Sequence, residues 1–461
     1  MEKSRPRVVF VCQQCGHEEL KWLGRCPACR EWNTFSEVAA VVPEARTRPR
    51  SAPGRPQELS TVSPGDTAAR FPVGLGEFDR VLGGGLVPGS LVLVGGEPGI
   101  GKSTLLLQVA ALVAGRRGTV AYVSGEETAR QVRLRAGRLG IGGEGLFLLP
   151  ETDVDSLLEQ VDSLTPALAV IDSIQTVSVA GVEGVPGSIT QVRQSALRLM
   201  QWAKASDVPV CITGHVTKEG AIAGPRVLEH IVDVVLYLEG ESFSAYRVLR
   251  CVKNRYGSTN EIGVFEMRAA GLVEVDNPSR AFISQRGEET VGSVVVPVLE
   301  GSRPLLVEVQ ALTHPTSFGQ PRRTANGVDF NRLLLVTAVL GKRLGLKLGT
   351  QDVMVNVTGG LRLGEPAADL GVALAVASSF KDAPVDPYLA AVGEVGLSGE
   401  LRAVPQLERR VGEVARLGFR RCLVPKAGSK IEVPAGLDII RTGSLREAVK
   451  VGLTPPPRSA V

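Results

Sequence analysis

The sequence is poor in aromatic residues, in excess charge of either sign and in long apolar runs. Phe, Trp and Tyr make up 4% of the 461 residues, so Val, Leu, Ile and Ala must build the cores. The net charge of +4 permits a nucleic-acid partner without arguing for one. No apolar run reaches the roughly 18 residues of a membrane-spanning helix. The N-terminus has no signal-peptide apolar region, and we therefore expect a cytoplasmic protein without membrane contact.

Composition divides the chain into segments of different character. Four cysteines mark residues 1–37, which we call the four-Cys module, and a linker rich in Pro and Arg covers residues 38–58. Apolar strands alternate with amphipathic helices over residues 59–278, which is typical of a parallel α/β sheet. A second mixed segment, of α+β character, covers residues 285–455. The length of the chain is sufficient for two large domains beside the small module.

Two Cys-x2-Cys pairs lie close together near the N-terminus, Cys12 with Cys15 and Cys26 with Cys29. This spacing predicts a tetrahedral Zn²⁺ site. Two disulfides are the alternative, which a reducing compartment disfavours. His17 is a weak candidate ligand, because four thiolates already complete the coordination shell. Since so short a module buries little apolar surface, the metal would supply most of its folding free energy.

The loop between the two cysteine pairs carries Lys21, Trp22 and Arg25. These side chains would suit contact with either a partner protein or nucleic acid. The remaining cysteines lie singly in apolar segments and are expected to be buried as small hydrophobic residues: Cys211, Cys251 and Cys422.

A strand over residues 91–94, a Gly-rich loop and a Leu-rich helix from Thr104 follow one another in the order of a phosphate-binding loop. Lys102 would reach the β- and γ-phosphate oxygens, and Ser103 would hold Mg²⁺. The residues expected to bind ATP or ADP are Gly96, Glu97, Pro98, Gly99, Ile100, Gly101, Lys102, Ser103 and Thr104.

Three further strands end in polar residues that could complete a nucleotide site. Glu126 is the predicted general base, and its neighbour Glu127 is the alternative, otherwise solvated. Asp172 follows four apolar residues and is placed to position Mg²⁺ through water. His215 could sense the γ-phosphate, or it could be a histidine with no such role.

The segment "GLGEFDRVLGGGLVPGSLVLVGGEPGIGKSTLLLQ", residues 74–108, resembles the core of the RecA superfamily. Together with the four-Cys module and "KNRYG" at residues 253–257, it makes nearly the whole chain similar to the RadA (Sms) family of bacterial DNA repair proteins. Tyr256 stands where that family has Phe. The resemblance implies a RecA-like P-loop ATPase that forms a hexamer and acts as a helicase for branch migration in homologous recombination. It also implies that this enzyme acts on single-stranded and branched DNA beside the strand-exchange recombinase RecA.

The same resemblance implies that the nucleotide lies between subunits and that a neighbour supplies cations to it. Lys253 and Arg255, which we call the cation fork, are two residues apart on a predicted strand and would point to one side. They would then enter the neighbouring site in trans, with Asn254 facing the other way. Solvated charges at a strand end are the plain alternative.

Two loops are implied to face nucleic acid, one after Asp172 and one after His215. Arg193, Lys218 and Arg226 flank these loops and are candidates for phosphate contact. An ordinary surface loop is the alternative at both places.

The segment "NVTGGLRLGEPAADLGVALAVASSF" resembles the proteolytic domain of Lon. Ala367 stands where that family has its nucleophilic serine, and Glu408 stands near its lysine, so neither position can perform the reaction. Ser378 and Ser379 are expected to be core or helix-packing residues. The resemblance therefore implies an inactive scaffold.

Five basic residues of this segment are candidates for binding duplex DNA, and solvated surface charge is the alternative: Arg322, Arg323, Lys342, Arg343 and Lys347. Two other functions stay open for the whole chain, an ATP-dependent Lon-type protease and a KaiC-like signalling ATPase that does not bind DNA.

Overall fold

The computed structural model describes residues 8–12, 17–27, 30–39, 70–215, 228–240, 244–283, 290–316, 319–428 and 431–453. Within these ranges, no helix is long and apolar enough to cross a membrane. The chain divides into two compact units, Met1–Glu274 and Val275–Val461.

The first unit begins with a small antiparallel sheet. Its strands are β1 (Val8–Cys12), β2 (Glu18–Glu19) and β3 (Phe35–Ala39), in the order β2-β1-β3. Cys12 and Cys26 are buried and pack with Phe35. Among the described residues of this module, these three with the partly buried Phe10 form the whole apolar cluster, which is too small to hold a sheet by apolar burial alone.

A nine-stranded sheet forms the body of the first unit, in the order β12-β11-β10-β9-β4-β8-β7-β5-β6. Strands β9, β4, β8, β7, β5 and β6 are parallel neighbours, and β9 to β12 pair antiparallel. Its strands are β4 (Leu91–Gly96), β5 (Val120–Ser124), β6 (Leu146–Leu149), β7 (Leu168–Asp172), β8 (Val210–His215), β9 (Val234–Glu239), β10 (Tyr246–Asn254), β11 (Ile262–Arg268) and β12 (Gly271–Glu274).

Helices cover both faces of this sheet. They are α1 (Gly76–Leu82), α2 (Lys102–Arg117), α3 (Ala129–Arg138), α4 (Val154–Leu164) and α5 (Ile189–Ser206). Val92 and Val94 of β4 pack with α1, α2 and α3, whereas Leu91 and Leu93 pack with α4 and α5. Because alternate strand residues face opposite sides, a strand that is buried on both sides must be apolar throughout. This architecture confirms the predicted α/β class.

The second unit contains a seven-stranded mixed sheet, in the order β15-β16-β14-β13-β17-β20-β21, and a two-stranded sheet of β18 and β19. Its strands are β13 (Ser293–Glu300), β14 (Arg303–Pro315), β15 (Arg323–Asn326), β16 (Gln351–Val357), β17 (Leu389–Ala391), β18 (Glu394–Val395), β19 (Leu401–Arg402), β20 (Arg421–Pro425) and β21 (Asp438–Thr442). Its helices are α6 (Pro278–Ile283), α7 (Phe330–Leu344), α8 (Asp369–Lys381), α9 (Leu407–Arg416) and α10 (Leu445–Gly452).

The centre of the second unit is α8, which is buried continuously from Asp369 to Ser378. The hydroxyl of Ser378 accepts a hydrogen bond from the backbone N–H of Gly292 (2.8 Å), and that of Ser379 accepts one from the N–H of Thr313 (2.9 Å). Both serines therefore hold α8 against its surroundings, in agreement with the expectation that they are core residues.

A buried ion pair lies close to the two positions that the Lon resemblance singles out. Arg410 is fully buried and binds both carboxylate oxygens of Glu365, at 2.6 and 2.5 Å. Ala367 is 3% exposed and lies in a short 3-10 turn, whereas Glu408 is exposed on α9. The two positions thus differ in solvent access as well as lacking the chemistry of a Ser–Lys pair.

Candidate functional site

The phosphate-binding loop connects β4 to α2. Gly96 has φ 153°, and a Cβ atom there would lie 2.6 Å from the carbonyl oxygen of Leu238, so only glycine fits. Strand β4 continues to Gly96, and α2 begins at Lys102, two residues before the expected start at Thr104. The helix therefore directs its first N–H groups at the loop, the usual arrangement for an anion.

Lys102 is 4% exposed, and its ammonium group donates to the carbonyl oxygens of Gly96 and Glu97, at 2.9 Å each. Burial lowers the pKa of Lys102, and the carboxylates of Asp172 and Glu126 partly oppose that shift. A buried cation beside a glycine turn and a helix N-terminus suits the phosphates of a nucleotide.

Asp172 ends β7 and accepts hydrogen bonds from three elements. Ser103 of α2 (3.0 Å) and Thr213 of β8 (2.7 Å) donate to Oδ1, and the hydroxyl of Tyr122 in β5 donates to Oδ2 (2.7 Å). Ser103 and Asp172 together offer the hydroxyl and carboxylate oxygens that Mg²⁺ prefers. They are the residues that would hold this ion.

Tyr122 and Thr213 were not identified from the sequence, because both lie inside strands that read as apolar core. Burial, and then the charge of Asp172, raise the pKa of Tyr122 well above its usual value, so its hydroxyl stays a donor. The available signal was a hydroxyl side chain on each strand that neighbours Asp172's own strand.

The adjacent residues Glu126 and Glu127 lie in the bend after β5, which ends at Ser124. Glu126, the predicted base, is exposed and accepts a hydrogen bond from the hydroxyl of Ser173 (2.6 Å). Glu127 is not the solvated residue we expected: it is half-buried and paired with Arg135.

Arg135 is a third side chain that sequence reasoning missed. Its Nη1 atom lies 4.0 Å from Oδ2 of Asp172, and its Nη2 atom pairs with Glu127. Nη1 of Arg135 and Oε2 of Glu127 are buried without a hydrogen-bond partner. Buried polar atoms without partners are uncommon in proteins, so these two atoms beside Asp172 are candidates to contact a bound polar group.

The structure describes only some of the remaining predicted site residues. His215 ends β8 and pairs in register with Gly96 of β4, which places its backbone beside the loop; its side chain is outside the described residues. Arg193 is half-buried on α5. Lys218 and Arg226 lie outside the described ranges.

The loop after Asp172 is fixed from within. The buried side chain of Gln191 accepts a hydrogen bond from the N–H of Val179 (2.9 Å) and donates to the carbonyl of Val182 (2.7 Å). Val185, further along the loop, is 73% exposed. The loop therefore presents an exposed segment on an ordered base.

The cation fork straddles the end of a strand. We predicted that Lys253 and Arg255 lie on one strand, and this is wrong for Arg255. Strand β10 ends at Asn254, which pairs with the first residue of β9, so Arg255 has no strand partner and lies in the following turn. Lys253 Nζ donates to the carbonyls of Val232 (2.8 Å) and Glu229. Burial, and then the nearby Arg255 guanidinium, lower the pKa of Lys253.

Asp233, which the sequence did not single out, anchors this region. It is 1% exposed and accepts hydrogen bonds from the N–H of Leu91 (3.0 Å), from Lys204 (2.9 Å) and from Arg255 (3.3 Å). Lys204 also donates to the hydroxyl of Tyr256 (2.7 Å). That hydroxyl is absent from the phenylalanine typical of the motif, so the departure at Tyr256 adds a hydrogen bond.

The cation fork and the phosphate-binding loop lie at opposite ends of β4. Asp233 pairs with Leu91 at the start of this strand, and the loop begins at Gly96 at its end. Five residues of a strand span about 17 Å. The fork therefore cannot reach phosphates bound in the loop of its own chain.

Strand β10 extends from the phosphate-binding loop to the cation fork. At its start, Arg247 is 8% exposed and donates from Nε to the carbonyl of Ile100 in the phosphate-binding loop (3.2 Å). At its end it carries Lys253. Burial lowers the pKa of Arg247. One strand thus connects the loop of a subunit to its own cation fork.

The second candidate site is the metal centre of the four-Cys module. Cys12 and Cys26 are buried in one cluster. Cys15 and Cys29 lie outside the described residues. The described residues alone contain no group of three potential metal ligands. The imidazole of His17 contacts Glu19 (3.1 Å). One cysteine from each pair, buried side by side in a core too small to be stable without help, fits a structural Zn²⁺ site.

Thiol reactivity will separate the metal ligands from the other cysteines. Burial raises the pKa of Cys211 and Cys422 to about 12 and that of Cys251 to about 11, so at pH 8 these groups remain unreactive thiols. We expect iodoacetamide to label the four module cysteines only after chelation, and all seven after denaturation. Mass spectrometry of the peptides measures this. Labelling of Cys211 or Cys422 in the native protein would contradict it.

Arg135→Gln is expected to lower kcat for ATP hydrolysis by about tenfold or more. The substitution leaves the half-buried Glu127 carboxylate without its partner beside Asp172, which is unfavourable. A tenfold loss of rate corresponds to about 1.4 kcal/mol of activation free energy. Arg130→Gln, an exposed change on the same helix, is the control. Steady-state ATPase assays and ADP titrations compare the two variants. Equal kcat values with equal ADP affinity would show that Arg135 has no part in the site.

Comparisons with known families agree with these sites. An AAA domain model matches residues 55–221, a rubredoxin metal binding domain model matches residues 10–37, and a model for subunit ChlI of Mg-chelatase matches residues 332–428. The first covers the phosphate-binding loop, Glu126 and Asp172, and supports ATP hydrolysis. The second covers all four module cysteines and supports the Zn²⁺ site.

Among solved structures, a KaiC-like protein from Pyrococcus horikoshii OT3 matches 45% of this chain and 99% of its own, at 23% identity and a TM-score of 0.38. Curated relatives called DNA repair protein RadA include those of Bacillus subtilis (strain 168) and Listeria monocytogenes serovar 1/2a. Each is 48% identical over 98% of this chain and 100% of the relative. The relative from Streptococcus pyogenes serotype M1 is 49% identical over 95% of this chain and 97% of its own. The chain therefore belongs to the RadA family of bacterial DNA repair proteins.

Proposed function

We propose that this chain is a DNA-dependent ATPase and helicase that drives branch migration of recombination intermediates during DNA repair. It works in the cytoplasm as a homo-oligomer, a hexameric ring, beside the strand-exchange recombinase. The observation that carries the proposal is the separation of the cation fork from the phosphate-binding loop of its own chain. The name of its curated relatives supports the role in DNA repair.

A head-to-tail ring resolves that separation. In such an assembly every subunit presents the same pair of different surfaces, so the fork of one meets the loop of the next. Lys253 and Arg255 would then stabilise the charge that develops on the γ-phosphate in the neighbouring site. A cation supplied in this way is worth on the order of 10³–10⁵ in rate.

Within one subunit, each polar group has a separate task in ATP hydrolysis. Lys102 binds the β- and γ-phosphate oxygens, and Glu126 orients and deprotonates the attacking water. Ser103 and Asp172 would hold Mg²⁺, which when bound neutralises phosphate charge. Tyr122 and Thr213 keep the Asp172 carboxylate in place through the hydrogen bonds described above.

DNA would contact the loops that follow Asp172 and His215. Arg193, Lys218 and Arg226 would bind phosphates rather than read bases, which suits single-stranded and branched DNA of any sequence.

The second unit would act as a scaffold that holds the subunits of the ring in register. It would not cleave peptides, since Ala367 and Glu408 replace a Ser–Lys pair.

Single-stranded DNA is expected to stimulate the ATPase several-fold in the wild type and in Arg250→Ala, a control change on the same strand as Lys253. Lys253→Ala should lose the activity by about 10³-fold at unchanged oligomer size. Branch migration is tested separately: with ATP, the wild type should extend the heteroduplex of a labelled three-strand intermediate, and Lys102→Ala should not. A rate indifferent to DNA would reject the motor and leave a nucleotide-gated scaffold.

Mixing two inactive variants tests whether the fork acts in trans. Lys102→Ala keeps its fork but loses its loop, and Lys253→Ala keeps its loop but loses its fork. When they are combined in equal amounts and allowed to exchange subunits, one interface in four joins an intact loop to an intact fork. We expect ATPase activity of up to about a quarter of the wild type. No recovery, with mixed oligomers demonstrated by a size tag, would contradict the trans assignment.

A further inference from the structure

Two of the three tryptophans in the chain lie on the four-Cys module, and both are exposed. Trp22 is 53% exposed and Trp32 is 67% exposed, with Leu20 at 80% close by in sequence. Large apolar side chains grouped on the surface of so small a module indicate a contact site.

Both indole rings lie beside Gly24. A Cβ atom built on Gly24 would lie 3.8 Å from Cζ3 and Cη2 of Trp22 and 4.0 Å from Cζ3 of Trp32, which is van der Waals contact with both rings. The two rings are therefore neighbours around a residue that has no side chain of its own to cover them.

Local contacts fix both rings before any ligand arrives. Nε1 of Trp22 donates to the carbonyl of Phe35 (3.3 Å), which directs the six-membered ring of the indole towards Gly24. The guanidinium of Arg25 lies 5.6 Å from the ring centroid of Trp32, and its Nε atom donates to the carbonyl of Arg30 (2.8 Å). A preorganised aromatic pair loses little conformational entropy on binding.

The charges around the rings favour a polyanion over an apolar peptide. Lys21, Arg25 and Arg30 are all exposed on the module. The adjoining linker carries four arginines and no acidic residue over residues 46–55. Aromatic rings interleaved with cations are the pattern by which proteins bind single-stranded nucleic acid, with bases on the rings and phosphates on the cations.

We propose that Trp22 and Trp32 form a stacking site for one unpaired base over Gly24, with Arg25 and Lys21 binding the flanking phosphates. The site would give the four-Cys module direct contact with single-stranded DNA, separate from the ATPase loops. The inference rests on the proposed function only for the identity of the strand as DNA.

Tryptophan fluorescence can report this site alone in the full-length, zinc-loaded protein. Trp202 is the third tryptophan, so Trp202→Phe confines the signal to Trp22 and Trp32. Titration with oligo(dT) is expected to quench the fluorescence, and a deoxyribose-phosphate strand of equal length without bases is expected not to. Quenching of equal size by both strands would overturn base stacking.

Affinity measurements on variants complete the test. Trp32→Ala and Trp22→Ala are expected to weaken oligo(dT) binding to the module by about tenfold, whereas Leu20→Ala, the matched apolar control, should not. Trp22→Phe keeps a ring and should retain most of the affinity, which distinguishes lost stacking from a misfolded module. Chelator-dependent thiol protection confirms that each variant still holds its metal.

The outcomes separate this inference from the proposed motor. An ATPase that DNA stimulates without tryptophan quenching would overturn the stacking site and leave the motor standing. Quenching by oligo(dT) without ATPase stimulation would do the reverse. If purified recombinase quenches the fluorescence, oligo(dT) does not and Leu20→Ala abolishes the effect, the surface is a protein-docking site and the inference is wrong.

Discussion

The carboxylate of Asp172 is the point at which the nucleotide site is assembled. Hydrogen bonds from Ser103, Tyr122 and Thr213 join it to the first turn of α2 and to the strands on either side of its own. These contacts satisfy a carboxylate that is only 8% exposed, which would otherwise be costly to bury. They also couple the position of the phosphate-binding loop to the sheet, so that strand register, rather than loop flexibility, sets the geometry of the site.

The direction of the parallel strands then divides the functional groups between two ends of the sheet. The residues proposed to bind phosphate and Mg²⁺ lie at the carboxyl ends, where parallel strands bring their loops together. The cation fork lies at the other end, held by the buried Asp233. Under the proposed function, a site split in this way is complete only when a second copy of the chain approaches, and assembly would then be a condition for catalysis rather than an addition to it.

Local motifs could be predicted from the sequence, and partners distant along the chain could not. The Gly-rich loop, Lys102, Ser103 and Asp172 follow from spacing, because each sits in a short strand–loop–helix pattern. Tyr122, Arg135 and Asp233 act through contacts 37 to 142 residues away in sequence, and no short pattern contains them. The fold class followed from alternating strands and helices, whereas the end of β10 depended on where β9 begins.

The positions that correspond to a protease dyad differ in a way that one substitution would not repair. A serine placed at residue 367 would be sealed under a surface that leaves the present alanine 3% exposed, and a lysine at residue 408 would point into water from α9. Two residues along the chain from each position, the fully buried Arg410 is held by both carboxylate oxygens of the half-buried Glu365. Restoring a Ser–Lys pair here would therefore require a new access path to residue 367 and a new direction for the side chain at residue 408, as well as the two substitutions themselves.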